Sequence, residues 1–329
     1  MVALGLLVFS LLALVIGVVN TATRANEDAS GNLGGDAHLS LIDLSGMITM
    51  DSARDSGILP SESNAMQAKK SLDEAAKDDD IKGVLLHINS PGGTVAMSQE
   101  LNAAVKRVIA KGKPVVVSMG DLTASGGYYT ACAADKIVAN PGTLTASIGV
   151  IISSIEFSDL LHNKLGVAPV TIKSGKFKDI LSPYRKPRPD ELSLLQTLIN
   201  NSYHDFLTTV IEDRTRNLTS DAEKKTRAEK IKAIADGRVV TGRQALAAGL
   251  VDEIGDEDRA YTLLDSMAKL HFHIKSKKRL PLVSEEKNVG LLGLLSGLLG
   301  SNSQAGLTEA MQMIPMSMRY RNQPLWMME

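Results

Sequence analysis

Ala124-Ser125-Gly126-Gly127-Tyr128-Tyr129 is the stretch on which the reading of this chain turns. A small hydroxyl residue stands between a short apolar strand expected over residues 114–119 and a helix expected over 128–134, with two glycines behind it. Upstream lies Asn89-Ser90-Pro91-Gly92-Gly93, and downstream Ile172-Lys173-Ser174-Gly175-Lys176-Phe177-Lys178-Asp179. Together the three segments read as a serine nucleophile, a backbone cradle for an anion and a lysine base.

The surroundings of that stretch alternate between strand and helix. Alternation predicts a strand over 39–48, helical spacing a helix over 64–77, and a continuous apolar run a strand over 81–88 that is covered on both faces. An amphipathic helix follows over 94–110, and a third buried strand over 136–139. This rhythm is that of an α/β fold with a largely parallel sheet. In the second half a short helix is expected over 158–165, a strand over 167–172 and a long helix over 189–216, with Pro189, Asp190 and Glu191 suited to its first turn. A charge-dense helix over 219–235 comes next. Thr241 then caps a helix over 244–248 that Gly249 ends, and a last helix covers 258–270.

The two ends differ from the body. Residues 2–19 are eighteen in number and apolar except for Ser10. Such a run reaches the lower end of what crosses roughly 30 Å of hydrocarbon. No Lys or Arg precedes it and no cleavage motif follows, so a retained anchor over 1–20 is favoured over a removed signal. Residues 21–37 read as a flexible tether, 38–285 as the catalytic body and 286–329 as a tail. Within the tail, 289–300 alternates leucine pairs with Gly and Ser, and 311–329 carries six methionines. The end of the tail, 320–329, is a candidate product-like peptide for a groove of its own or of a neighbouring copy, or else a disordered terminus.

Composition excludes some functions. The 329 residues carry a net charge of −1 and no basic face, which argues against nucleic acid as a partner. A single cysteine, Cys132, makes neither an internal disulfide nor a thiolate metal site.

A serine attacks a carbonyl only when a base takes its proton. None of the six histidines stands in a Gly- or Ser-rich segment, and a Gly-X-Ser-X-Gly elbow is absent. A lysine does the same work when neutral; its ordinary pKa is about 10.4 and burial lowers it. Lys178, flanked by Phe177 and Ile180, is the candidate, with Lys173 and Lys176 as competitors. Gly93 and Gly126 are suited to donate backbone N–H groups to an oxyanion, since a bulky side chain there would block the approach. Small residues beside the serine (Ala124, Gly127, Thr130, Ala131) suit a groove for an extended chain.

These motifs, with Ile88-Asn89-Ser90-Pro91-Gly92-Gly93, Ala134-Asp135-Lys136-Ile137 and Ala235-Asp236-Gly237-Arg238-Val239 in the same order, resemble the short bacterial signal peptide peptidases of the SppA type, Ser–Lys proteases of family S49. The resemblance runs from about residue 39 to 260. It implies a crotonase/Clp-protease-like α/β fold with stacked, largely parallel sheets and flanking helices behind an N-terminal transmembrane helix. It also implies a homo-oligomeric ring and chemistry without metal or cofactor. By motif, Ser125 is then the nucleophile, Lys178 the general base, Gly93 and Gly126 the oxyanion donors, and Ser147 the residue that orients the lysine. Substrates are expected to be signal-peptide remnants and other apolar peptides at a cell membrane, with the peptidase body outside the cytoplasm.

Rival readings are a Clp-type protease, a stomatin-operon-type membrane protease, a non-catalytic membrane scaffold and an acyl-CoA enzyme of related fold. Against the first, no histidine lies between Ser125 and Ser158; against the last, no Glu lies between Lys111 and Ile155.

Overall fold

A computed structural model describes residues 37–50 and 63–284 and the backbone of 325–327. The chain divides into two units, 1–37 and 38–329, and everything below concerns the second. The apolar run at 2–19, the tether up to Asp36, the leucine pairs at 289–300 and the tail other than 325–327 lie outside the described residues. Among the described residues no helix is long and apolar enough to cross a membrane.

In chain order the first half runs β1 (His38–Ser45), α1 (Asn64–Ala75), β2 (Ile81–Ser90), β3 (Gly92–Thr94), α2 (Val95–Ala110), β4 (Val115–Ala124), α3 (Gly126–Ala131), β5 (Lys136–Ala139) and β6 (Leu144–Ala146). The second half runs α4 (Ser158–Lys164), α5 (Pro189–Thr215), α6 (Asp221–Lys232), β7 (Val239–Thr241), α7 (Gly242–Ala248), β8 (Glu253–Ile254), α8 (Glu257–His271), β9 (Leu282–Ser284) and β10 (Leu325–Met327). Eight strands form one sheet with the path β7-β6-β4-β2-β1-β9, while β5 joins β4 and β8 joins β5. Every pairing in it is parallel except β6 with β7.

The continuous apolar run of β2 has the expected cause. Val84, Leu86 and Ile88 enter one hydrophobic core with Leu72 of α1 and Leu101 and Val105 of α2. The alternate positions face the other way, toward α8. A Cβ at Gly83 would stand 2.9 Å from Leu264 Cδ1, and Leu85, Val116 and Leu264 are all fully buried. Period-two alternation thus feeds two helix layers from one strand. On α1 the buried residues Ala65, Ala68, Leu72 and Ala75 follow helical spacing, and Ser63 caps the helix by accepting from the Met66 amide at 3.3 Å.

β4 places the key serine. Its first part pairs with β5, Val116 opposite Lys136, and its last part with β6, Thr123 opposite Thr145. Against β2 the register slips: Ile88 faces Met119, yet Ser90 faces Thr123. Two surplus residues in β4 make a bulge that re-aims the strand. Asn89 holds the bulge, because its Oδ1 accepts from the Leu122 amide at 3.1 Å and its side chain occupies the space a Cβ at Gly120 would need. The strand therefore runs to Ala124, five residues past the expected end, and α3 begins directly after Ser125.

One expected strand is missing. Residues 167–172 form no strand; Val170 and Ile172 are 86% and 97% exposed. Their β-branched alternation has no neighbouring strand to pair with, and side-chain pattern alone does not make a sheet.

Candidate active site

Ser125 sits at the junction of β4 and α3 with φ 52° and ψ −117°. A non-glycine residue at positive φ costs about 1–3 kcal/mol and persists only where its surroundings hold it. They do so here. The Ser125 amide donates to the Ala146 carbonyl at 2.8 Å, and the Ser125 carbonyl accepts from the Tyr129 amide at 2.8 Å. Gly127 lets α3 settle on the end of β2, since a Cβ there would lie 3.1 Å from the Ser90 carbonyl oxygen. Tyr128 ties the same helix to the core by donating its hydroxyl to the Leu250 carbonyl at 2.8 Å. The Ser125 Oγ is buried and has no hydrogen-bond partner among the described residues. A buried polar atom without a partner is costly and calls for a physical reason.

The segment behind the serine is bent too. Ala146 and Ser147 both have positive φ, 68° and 51°. The turn at 236–238 secures them: the Ser147 amide donates to the Arg238 carbonyl at 3.0 Å and the Gly237 amide to the Ile148 carbonyl at 3.1 Å. Ser147 thus adjoins the residue that holds the nucleophile, and it is nearly buried.

The Asn-Ser-Pro-Gly-Gly segment does not lead straight into a helix; its last two residues and Thr94 form strand β3. The Ile48 amide donates to the Gly92 carbonyl at 3.0 Å, and the Thr94 amide to the Ile48 carbonyl at 2.8 Å. Successive amides of a strand point to opposite edges, so Gly93 presents its N–H to the other edge. A Cβ at Gly93 would fall 1.9 Å from the Ile48 carbonyl oxygen, so only glycine fits. On that other edge lies β10, antiparallel, with Leu325 opposite Thr94, Trp326 opposite Gly93 and Met327 opposite Gly92. A piece of the tail therefore lies on the anion-cradle strand as an extended peptide. Gly126 opens α3, where first-turn amides have no partner within the helix.

The four small residues expected along a groove, Ala124, Gly127, Thr130 and Ala131, are all buried. Ala131 belongs to the hydrophobic core and Thr130 donates to the Gly126 carbonyl at 3.0 Å, so they pack α3 inward rather than line an open channel.

The loop over 173–188 separates the three candidate lysines. Lys173 pairs with Asp179 at 2.5 Å and Lys176 with Asp190 at 2.5 Å. Lys178 makes no ion pair or side-chain hydrogen bond among the described residues. In the single chain it is exposed and shares no bond with Ser125, so the expected dry pocket beside the serine is not formed by this copy alone.

Other nucleophiles and bases fall away. Burial, then the nearby Asp213 carboxylate, pushes the Cys132 thiol far above its ordinary range, which keeps it inert. His87 faces the Glu257 carboxylate at 2.8 Å rather than the serine. Among the described residues no cluster of three or more His, Cys, Asp or Glu could hold a metal.

A buried serine in a strained strand-to-helix turn thus lies beside a glycine strand that pairs with an extended segment, on an α/β scaffold. Residues 107–271 match the family described as Peptidase family S49, and the chain belongs to that family and is a serine endopeptidase. A Synechocystis protein bearing a protease name is 41% identical over 251 residues, 74% of this chain and 83% of its own length. Protease 4 of Salmonella typhi is 35% identical over 78% of this chain and 39% of its own, and the chloroplastic serine protease SPPA of Arabidopsis thaliana is 33% identical over 66% and 30%.

Proposed function

We propose that this chain is a membrane-anchored endopeptidase of crotonase/Clp-like fold that uses a Ser125–Lys178 dyad to degrade cleaved signal peptides and other apolar, extended peptides. The observation that carries the reading is the pairing of β10 with β3: the edge presenting the Gly93 amide accepts a peptide strand next to the Ser125 turn. Substrate binds the same way, by strand addition, with main-chain bonds giving affinity.

In the first step the neutral Lys178 amine takes the proton of the Ser125 hydroxyl as its oxygen attacks the scissile carbonyl carbon. The Gly93 and Gly126 amides bind the oxyanion that develops. The C–N bond then breaks, and the lysine ammonium returns its proton to the leaving amine. Water, deprotonated by the same amine, attacks the acyl ester and releases the peptide acid and the serine. Ser147 orients the lysine.

A second copy of the chain completes the site. Lys178 is exposed in the lone chain, and the loop that carries it also exposes Val170 and Ile172. A neighbouring copy covering this loop within a ring would strip water from Lys178 and favour the neutral amine. The apolar run at 2–19 would hold the body at the cell membrane, with the peptidase outside the cytoplasm, near peptide remnants.

Subunit mixing tests the reading. Ser125→Ala and Lys178→Met chains are each expected to be inactive against an apolar reporter peptide. Mixed under conditions that exchange subunits, they should recover part of the wild-type rate, because each supplies what the other lacks. Turnover by Lys178→Met alone would remove the dyad, and mixtures that stay inactive while exchanging would remove the shared site.

A further inference from the structure

The base-bearing loop contains a charge arrangement that the dyad does not itself require. Asp179 follows Lys178 directly in sequence, so its carboxylate lies on the same turn and within the reach of the long, flexible lysine side chain unless it is held elsewhere. In the fold it is turned elsewhere. Arg185 donates from Nε to Asp179 Oδ2 at 2.8 Å and from Nη2 to Oδ1 at 2.7 Å, and Nη2 also reaches the Asp179 carbonyl at 3.1 Å. On the opposite side Arg185 Nη1 donates to Glu191 Oε2 at 2.8 Å and Nη2 to Oε1 at 2.5 Å. The Glu191 side chain is fully buried at the head of α5, where it also accepts from the Arg188 amide at 2.8 Å. One guanidinium thus joins the turn that carries the base to the rigid start of a long helix.

We propose that Arg185 is a positioning residue for the general base: it keeps the Asp179 carboxylate off the adjacent Lys178 amine and fixes the Lys178 turn to the head of α5. The proposal rests on Lys178 being the base. A carboxylate within a few ångströms stabilises an ammonium and raises its pKa by about 1–3 units. An unrestrained Asp179 would therefore hold Lys178 protonated at the pH where it must be neutral. With Asp179 bound to Arg185 and Lys173, that acid is occupied twice. The remaining charges close by are also paired, Lys176 with Asp190 and Arg188 with Glu191. The Arg185 bonds hold the Asp179 carboxyl far below the usual range, with Lys173 adding to the effect, and they take Glu191 down to about 2.

The experiment uses the full chain and five variants: R185M, R185K, D179N, the double variant R185M/D179N, and K178M as the control for the base. Two curves are read against pH, kcat/KM on one apolar peptide and acetylation of the Lys178 amine followed by mass spectrometry. The second reports the neutral amine without relying on turnover. R185M is expected to lose about tenfold or more in kcat/KM at neutral pH and to move both curves upward by about one unit. R185K, which keeps the charge but not the two-sided fork, should fall between R185M and wild type in both curves. In the double variant both curves should return toward the wild-type pH. If R185M loses activity while both curves stay in place, Arg185 is only a brace and the proposal fails. Should R185M not fold, D179N decides: an upward shift there would refute the idea, and no upward shift supports it. Failure of the underlying reading looks different, since K178M would then retain turnover whatever the acetylation curves do.

Discussion

Ser125 holds a buried, unpartnered hydroxyl on a strained backbone, and that strain is measurable one residue at a time. Glycine tolerates φ 52° and ψ −117° where alanine does not. Ser125→Gly and Ser125→Ala should both abolish turnover, by on the order of 10⁴-fold or more. In chemical denaturation Ser125→Gly should be the more stable of the two by about 1 kcal/mol; equal stabilities would mean the turn is unstrained. Gly93 makes the opposite point. A methyl group there meets the Ile48 carbonyl oxygen at 1.9 Å, so Gly93→Ala should displace β3, lower the melting temperature and cost about 10²–10³ in kcat. The tight turn at Ser125 and the close approach at Gly93 were foreshadowed in the sequence because small residues at a strand end have few other uses. The choice among Lys173, Lys176 and Lys178 was not. It depends on which carboxylate each lysine meets, and Asp190 reaches Lys176 only once α5 is in place.

Strands and helices with a sustained period were legible; three-residue strands were not. The long apolar strand and the helices over α1, α2, α5 and α8 fall close to their expected bounds, because burial on one or two faces writes a repeating pattern. β3 carries only Gly92, Gly93 and Thr94, which has no such pattern and reads as a turn. The 167–172 segment failed in the reverse sense, with a pattern but no partner. Two outcomes belong to this scale. Glu191 sits at the head of α5 with its carboxyl lowered from 4.5 to about 2, chiefly by the Arg185 bond. A lowered folded-state pKa stabilises fully above the unfolded value and is lost as pH falls through the folded one. Wild type should therefore exceed Glu191→Gln in stability near neutral pH, and the gap should close between about pH 4.5 and 2; a gap independent of pH in urea titrations would contradict the ion pair. The second concerns β10. A tethered strand competes with substrate at a high local concentration. Removing 320–329 should raise kcat/KM for a short apolar peptide, and unchanged rates with unchanged oligomer size would show that the strand does not occupy the substrate edge.

At the scale of the molecule the residues of the proposed site fall into a well-packed group and an open one. Ser125, Gly93 and Gly126 stand on buried elements of the sheet and α3, whereas Lys178 stands on a loop whose apolar residues face solvent in the lone chain. An assembly that covers the loop and dries the base accounts for both halves, and turnover should then rise from neutral into mildly alkaline pH as the amine loses its proton; a maximum in acid would contradict a lysine base. The family resemblance was readable in the sequence but this division was not, because exposure of a loop in one copy is a property of the folded surface. The most direct test is covalent. Wild-type, Lys178→Met and Ser125→Ala proteins are treated with a fluorophosphonate across a pH series, and the modified residue is mapped by mass spectrometry. The account predicts labelling at Ser125 that accelerates as pH rises and is lost in Lys178→Met. Labelling of Ser125 at an undiminished rate without the lysine, or of a different serine in the wild type, would contradict it.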